Sequence, residues 1–85
     1  MKPYAIVLTK EAAKDAKKLP PRLRRKLREI LLADVATSPY SGKRLVGDLL
    51  GFYSIRLTIK DRIVYSVDQE TRTVTVHRAR THYGE

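Results

Sequence analysis

The sequence contains no cysteine. A chain without thiols has no disulfide to brace a small core, no cysteine-based metal site, and no mark of an oxidising compartment. Long apolar runs are missing too. From Lys10 onward a charged residue recurs every few positions, so no stretch reaches membrane length, and no secretory signal pattern is present. Linkers, repeats and low-complexity tracts are absent. Neither a carboxylate cluster nor a histidine pair at ligand spacing occurs, so a metal mechanism is poorly supported and no metal or cofactor is expected. These absences leave a single cytoplasmic domain over residues 1–85, with a core that is real but thin. Acidic residues are outnumbered: nine Asp and Glu stand against 18 Lys and Arg, a formal net charge of +9. Such an imbalance attracts polyanions, and it speaks to partners and association rate rather than to fold.

The apolar pattern supplies the fold. Tyr4–Leu8 reads as a first strand. Thr9 is suited to cap a helix with Glu11 in its first turn, and Ala12, Ala16 and Leu19 share one face of it. Pro20-Pro21 ends that helix and starts a second, whose stripe is Leu23, Leu27, Ile30, Leu31 and Val35. Two helices so close in sequence predict an antiparallel hairpin. Ser38–Gly42 is loop, with residues that favour turns. Phe52–Ile59 alternates, with Tyr53, Ile55, Leu57 and Ile59 on one face and Ser54, Arg56 and Thr58 on the other. Lys60-Asp61 connects it to Arg62–Asp68, and Gln69–Arg72 turns into Thr73–Ala79. The expected fold is α+β, in the order βααβββ. A helical hairpin packs on one face of a small, mainly antiparallel curved sheet, Tyr4–Leu8 joins one edge, and the other face stays open.

Charge is unevenly spread. Residues 1–30 hold ten Lys and Arg against three acids, whereas residues 31–85 hold eight against six. Lys14, Lys17, Lys18, Arg22, Arg24, Arg25 and Arg28 cover the polar sides of the two helices. A solvated face needs no such uniform sign, so these residues are assigned to phosphate contact that positions a nucleic acid without reading its sequence.

Chemistry points to the other half of the chain. Arg56, Arg62, Arg80, His82 and Tyr83 lie on or just after the three-strand meander. Cleavage of RNA by its own 2′-hydroxyl needs a proton acceptor, positive charge on the phosphorane, and a proton donor for the 5′-oxygen. Arginine serves the second need through its fixed fork, and histidine the first or third near neutral pH. By residue type alone the same side chains also fit an exposed sheet and a solvated tail.

Over Tyr4–Tyr83 the sequence resembles the RelE/ParE superfamily of bacterial toxin–antitoxin toxins. The most specific stretch is Gly42–Val67, with its Lys43-Arg44 entry, spaced Gly47 and Gly51, aromatic pair, and a strand of Arg-hydrophobic-Val-Tyr form. The ending Ala79–Tyr83 resembles the Txe/YoeB branch, which closes on an Arg, then His-Tyr. The resemblance implies metal-independent cleavage of mRNA in the ribosomal A site through 2′-hydroxyl attack. It also implies neutralisation by an acidic cognate antitoxin that wraps the toxin. Membranes are not implied as partners, and the toxin alone is expected to be a monomer. By the same resemblance Arg62 is the catalytic arginine and Arg56 a basic residue facing the substrate, with Arg80, His82 and Tyr83 matching the terminal trio, whose His moves a proton. Arg44 and Ser54 are assigned to RNA contact, although RelE has a lysine where Ser54 stands. Lys43 falls roughly where the Txe/YoeB branch has a glutamate base. A lysine must lose its proton before it can accept one, so His82 is favoured as base over Lys43.

Other residues read as structural. Tyr53 and Tyr65 belong to packing, Tyr4 to core or edge, and His77 to the face opposite Val74 and Val76, while Tyr83 is suited to stack on a base. Phe52 is compatible with either face. Two further functions remain open: a ParE-like inhibitor of DNA gyrase, and a basic RNA- or ribosome-binding protein that does not cut.

Overall fold

Thr9 begins the helical part of the chain as its side chain suggests. Its Oγ1 accepts a hydrogen bond from the Ala12 amide at 3.1 Å and donates to the His77 carbonyl at 3.2 Å, so the cap also ties helix to sheet. The structure, a computed structural model, describes residues 2–81. Its order is β1 (Ala5–Leu8), α1 (Lys10–Lys18), α2 (Pro21–Glu29), β2 (Lys43–Arg44), β3 (Phe52–Arg56), β4 (Asp61–Asp68) and β5 (Thr73–Thr81). α2 opens on Pro21, whose missing amide hydrogen costs nothing in a first turn, and it runs on through a π-helical stretch, Ile30–Val35.

The strands form one sheet in the order β1-β5-β4-β3-β2. β1 lies parallel to β5 at one edge, and the other neighbours are antiparallel. Both helices cover a single face. Ala12, Leu19, Leu27, Leu31 and Val35 meet Ile63, Tyr65, Val74, Val76 and Ala79 in the core, with Tyr53 and Ile55 packed against it. Tyr65 is fully buried, stacks on Tyr53 at 5.6 Å between ring centres, and donates its hydroxyl to the Pro39 carbonyl at 2.8 Å.

Two expectations are corrected. β3 ends at Arg56 rather than running to Ile59, which is 90% exposed. The Thr58 hydroxyl accepts the amides of Lys60 and Asp61 and donates to the Asp61 carboxylate at 2.9 Å, closing a turn that the alternating pattern hides. The chain also adds β2, a fifth strand of two residues, too short to carry a readable period. At the C-terminal end β5 continues past Ala79 to Thr81.

Candidate nucleic-acid interface

Because side chains alternate along a strand, the core positions define the opposite face as well. Ile63 and Tyr65 point to the helices, so Arg62, Val64 and Ser66 take the open face; Tyr53 and Ile55 do the same for Phe52, Ser54 and Arg56. Arg56 pairs directly with Arg62, and Arg62 with position 80 of β5, so three arginines occupy one row across three strands. Lys43 is exposed on β2 opposite Ser54, one row away on the same face. Both Arg56 and Arg62 are exposed, and among the described residues neither has a carboxylate within ion-pair distance. Like charges placed directly opposite each other destabilise a sheet, and a bound polyanion removes that repulsion.

A break in β5 creates the row. The pairing shifts between Val64 and Tyr65: Tyr65 faces Val76, Val64 faces Arg78, and His77 is the extra residue. Val74 and Val76 enter the core, and strict alternation would send positions 78 and 80 after them. The bulge reverses the phase, so Ala79 enters instead and position 80 pairs with Arg62. The sequence carried a signal for this in the Val-x-Val-x-x-Ala spacing of residues 74–79.

Beyond the bulge β5 has outrun β1, whose pairing stops at Val76. α1 covers the vacated edge. Asp15, 5% exposed, accepts the Ala79 amide at 3.1 Å and the Arg78 guanidinium at 2.9 Å (Nε) and 3.3 Å (Nη2). The sequence reading missed Asp15, since an acid beside Lys14 looks like ordinary surface. His77 occupies the open face, as its phase suggests. A 2.8 Å hydrogen bond joins its Nε2 to the Ser66 Oγ, the Phe52 ring lies 4.8 Å from its own, and burial lowers its pKa from the ordinary imidazole value.

The remaining candidates divide. Ser54 has the expected face but is only 4% exposed, so it is a poor RNA contact. Arg44 is exposed opposite Tyr53, in the phase of the helix-facing side. Lys14, Lys17, Lys18, Arg22, Arg24, Arg25 and Arg28 are all exposed, on helices packed against the sheet face opposite the arginine row. One strand of RNA therefore cannot lie along both sets. His82 and Tyr83 fall outside the described residues.

Comparison with known proteins identifies this architecture. A family model described as the ParE toxin of the type II toxin–antitoxin system, parDE, matches residues 6–83. The chain belongs to this family. Toxin RelG of Mycobacterium tuberculosis (strain ATCC 25618 / H37Rv) is 35% identical over 77 residues, covering 89% of this chain and 87% of that protein. The RelBE2 toxin–antitoxin complex of M. tuberculosis contains a chain that is 34% identical, with a TM-score of 0.86 over 96% of this chain and 94% of that one. The YoeB/ParE toxin of Agrobacterium tumefaciens is 27% identical, with a TM-score of 0.82 over 93% of this chain and 99% of that one. The protein is thus a type II toxin of the RelE/ParE superfamily, with two helices on a five-stranded open sheet.

Proposed function

We propose that this toxin is an endoribonuclease that cuts mRNA in the ribosomal A site without metal. The row formed by Arg56, Arg62 and position 80 carries the reading. In that reaction the ribose 2′-oxygen attacks phosphorus as its proton passes to a base, and the 5′-oxygen leaves with a proton from an acid. A 2′,3′-cyclic phosphate and a 5′-hydroxyl result. Arg62, flanked by Arg56, supplies fixed positive charge where the phosphorane gains negative charge. Arg80 adds to that charge in the role its resemblance to the Txe/YoeB branch implies. Lys43, exposed beside the row, suits phosphate contact better than proton acceptance. His82 is assigned proton transfer and Tyr83 base stacking, on the strength of the ending that resembles the Txe/YoeB branch. The helical cations, on the far side of the sheet, are assigned to surrounding ribosomal RNA. The net charge of +9, together with the toxin–antitoxin complex seen in the M. tuberculosis relative, supports an acidic antitoxin as the second partner.

Primer extension on mRNA from cells briefly expressing the chain tests the class: discrete cuts inside translated codons are expected. Arg62→Ala should remove them, with a rate loss of roughly 10²–10³, and Arg62→Lys should restore only part, because an ammonium lacks the bidentate fork. With a minimal RNA at high toxin concentration, cutting should persist in chelator and leave a cyclic phosphate. Products ending in a 3′-hydroxyl would refute the 2′-hydroxyl route. The ParE name of the family model favours one rival, inhibition of DNA gyrase. Altered supercoiling before translation slows would select that rival, which has no use for the arginine row.

A further inference from the structure

On the open face, along the strands from the arginines, the surface changes character. Phe52 lies four residues before Arg56 on β3, and Ser66 four residues after Arg62 on β4. At about 3.4 Å per residue that is roughly 14 Å from the row. Here two flat rings, Phe52 and His77, meet at 4.8 Å between centres with 49° between their planes, and both remain partly exposed. Ser66, paired with Phe52 in the register, holds the imidazole through its 2.8 Å bond to Nε2. Alternation past Val76 sends His77 to this face, and the β5 bulge makes it the extra residue, with no β4 residue paired to it.

A phosphate gains nothing at such a place. The phenyl ring is apolar, and burial favours the uncharged imidazole. Unpaired nucleobases, by contrast, are held by stacking on flat side chains next to a cationic track that follows the backbone. We propose that Phe52 and His77 form a stacking shelf for an unpaired base of the RNA strand whose phosphate lies on the arginine row, with Ser66 as the positioning residue that fixes the His77 ring. The inference rests on the reading that RNA occupies this face. It assigns the shelf affinity and alignment of the strand rather than a proton-transfer step. Stacking accepts any base, so the shelf adds grip without adding a sequence rule.

The test uses the full chain and a short single-stranded RNA carrying 2-aminopurine, whose fluorescence falls when the base stacks, at low salt. The wild-type chain should quench the probe. Phe52→Leu and His77→Ala should abolish the quench and weaken binding about fivefold or more, the lower end of the stacking range. His77→Phe, which keeps a ring but loses the nitrogens, should retain both the quench and the cutting of ribosome-bound mRNA; a proton-transfer role predicts that cutting is lost. Thermal unfolding of each variant separates loss of the shelf from loss of the fold. No quench with the wild-type chain, or an unchanged quench in Phe52→Leu and His77→Ala, overturns the shelf. So does a quench that persists while these two variants lose the antitoxin, which gives the face to the protein partner. Cleavage of ribosome-bound mRNA, assayed in parallel, keeps the two readings apart. Cutting without quenching leaves the nuclease and removes the shelf, and quenching without cutting does the opposite.

Discussion

Replacing Asp15 by alanine tests how the edge of β5 is held. The carboxylate is 5% exposed and accepts hydrogen bonds from the Ala79 amide at 3.1 Å and from Arg78 Nε and Nη2 at 2.9 and 3.3 Å. Breaking a fully buried ion pair costs about 3–5 kcal/mol, because the surviving charge is stranded. Arg78 is 35% exposed, so its guanidinium turns to water and most of that penalty is avoided. The Ala79 amide has no such escape. Ala79 is 0% exposed and β1 does not extend past Val76, so its orphaned amide contributes the larger part, about 1–3 kcal/mol. A net loss of about 2–3 kcal/mol follows, which in a domain of this size lowers Tm by roughly 10–20 °C. Circular dichroism melts of the two chains measure it. Asp15→Asn should lose less, since its amide oxygen still accepts from Ala79 while its NH2 opposes the guanidinium. Hydrogen exchange should accelerate at Ala79 ahead of the strand centre. An Asp15→Ala melt within about 2 °C of wild type would refute the reasoning, since that is below the effect of even half a kcal/mol.

Gly42→Ala should destabilise the chain by about 1–3 kcal/mol through overpacking, because the new Cβ would stand 2.5 Å from the Tyr65 hydroxyl oxygen, itself fixed on Pro39. The same change in a Tyr65→Phe background should cost less, and an undiminished cost in that double-mutant cycle would exclude the clash. Reversing Arg24, Arg25 and Arg28 to Glu should weaken ribosome binding and flatten its salt dependence by roughly two to three units of slope, with unchanged binding at physiological salt as the contrary result. Burial lowers the pKa of His77, so the unfolded chain takes up its proton first as pH falls through the ordinary imidazole range near 6.5. That contribution to stability is present above this range and is lost below it, until the folded His77 also protonates; urea titrations should show a shallower acid limb for His77→Phe than for wild type.

Most of the framework was legible because local rules agreed with the global fold. The Thr9 cap, the Pro20-Pro21 break, the α2 stripe and the alternation of β3 as far as Arg56 each report on a few neighbouring residues, and each appears where the pattern puts it. Other features depend on contacts between distant residues. Ser54 looks like an open-face residue by phase and has that face, but its burial is decided by what lies around it in the sheet. Asp15 is indistinguishable in sequence from its charged neighbours, and only the end of β1 at Leu8, opposite Val76, explains why an acceptor is needed there. Periodicity alone extends β3 to Ile59, because the Thr58–Asp61 turn rests on side-chain to backbone hydrogen bonds that leave no apolar signature.

The β5 bulge connects these features. Without it, the period set by Val74 and Val76 would turn positions 78 and 80 toward the helices, where a charge is far more expensive than on an open face. With it, the small Ala79 fills the core position and position 80 pairs with Arg62, while Asp15 satisfies the edge that the end of β1 leaves unpaired. The arrangement sets Arg56 directly opposite Arg62 where a sheet would be more stable with neutral residues. Sites that break a local rule in this way are where function is to be looked for, since a polyanion is the one partner that turns the repulsion into binding energy. It follows that relieving the row, for example with Arg56→Thr, should raise the stability of the free toxin while lowering its affinity for RNA. Stability and function pull in opposite directions at this position, whereas at Asp15 they pull together.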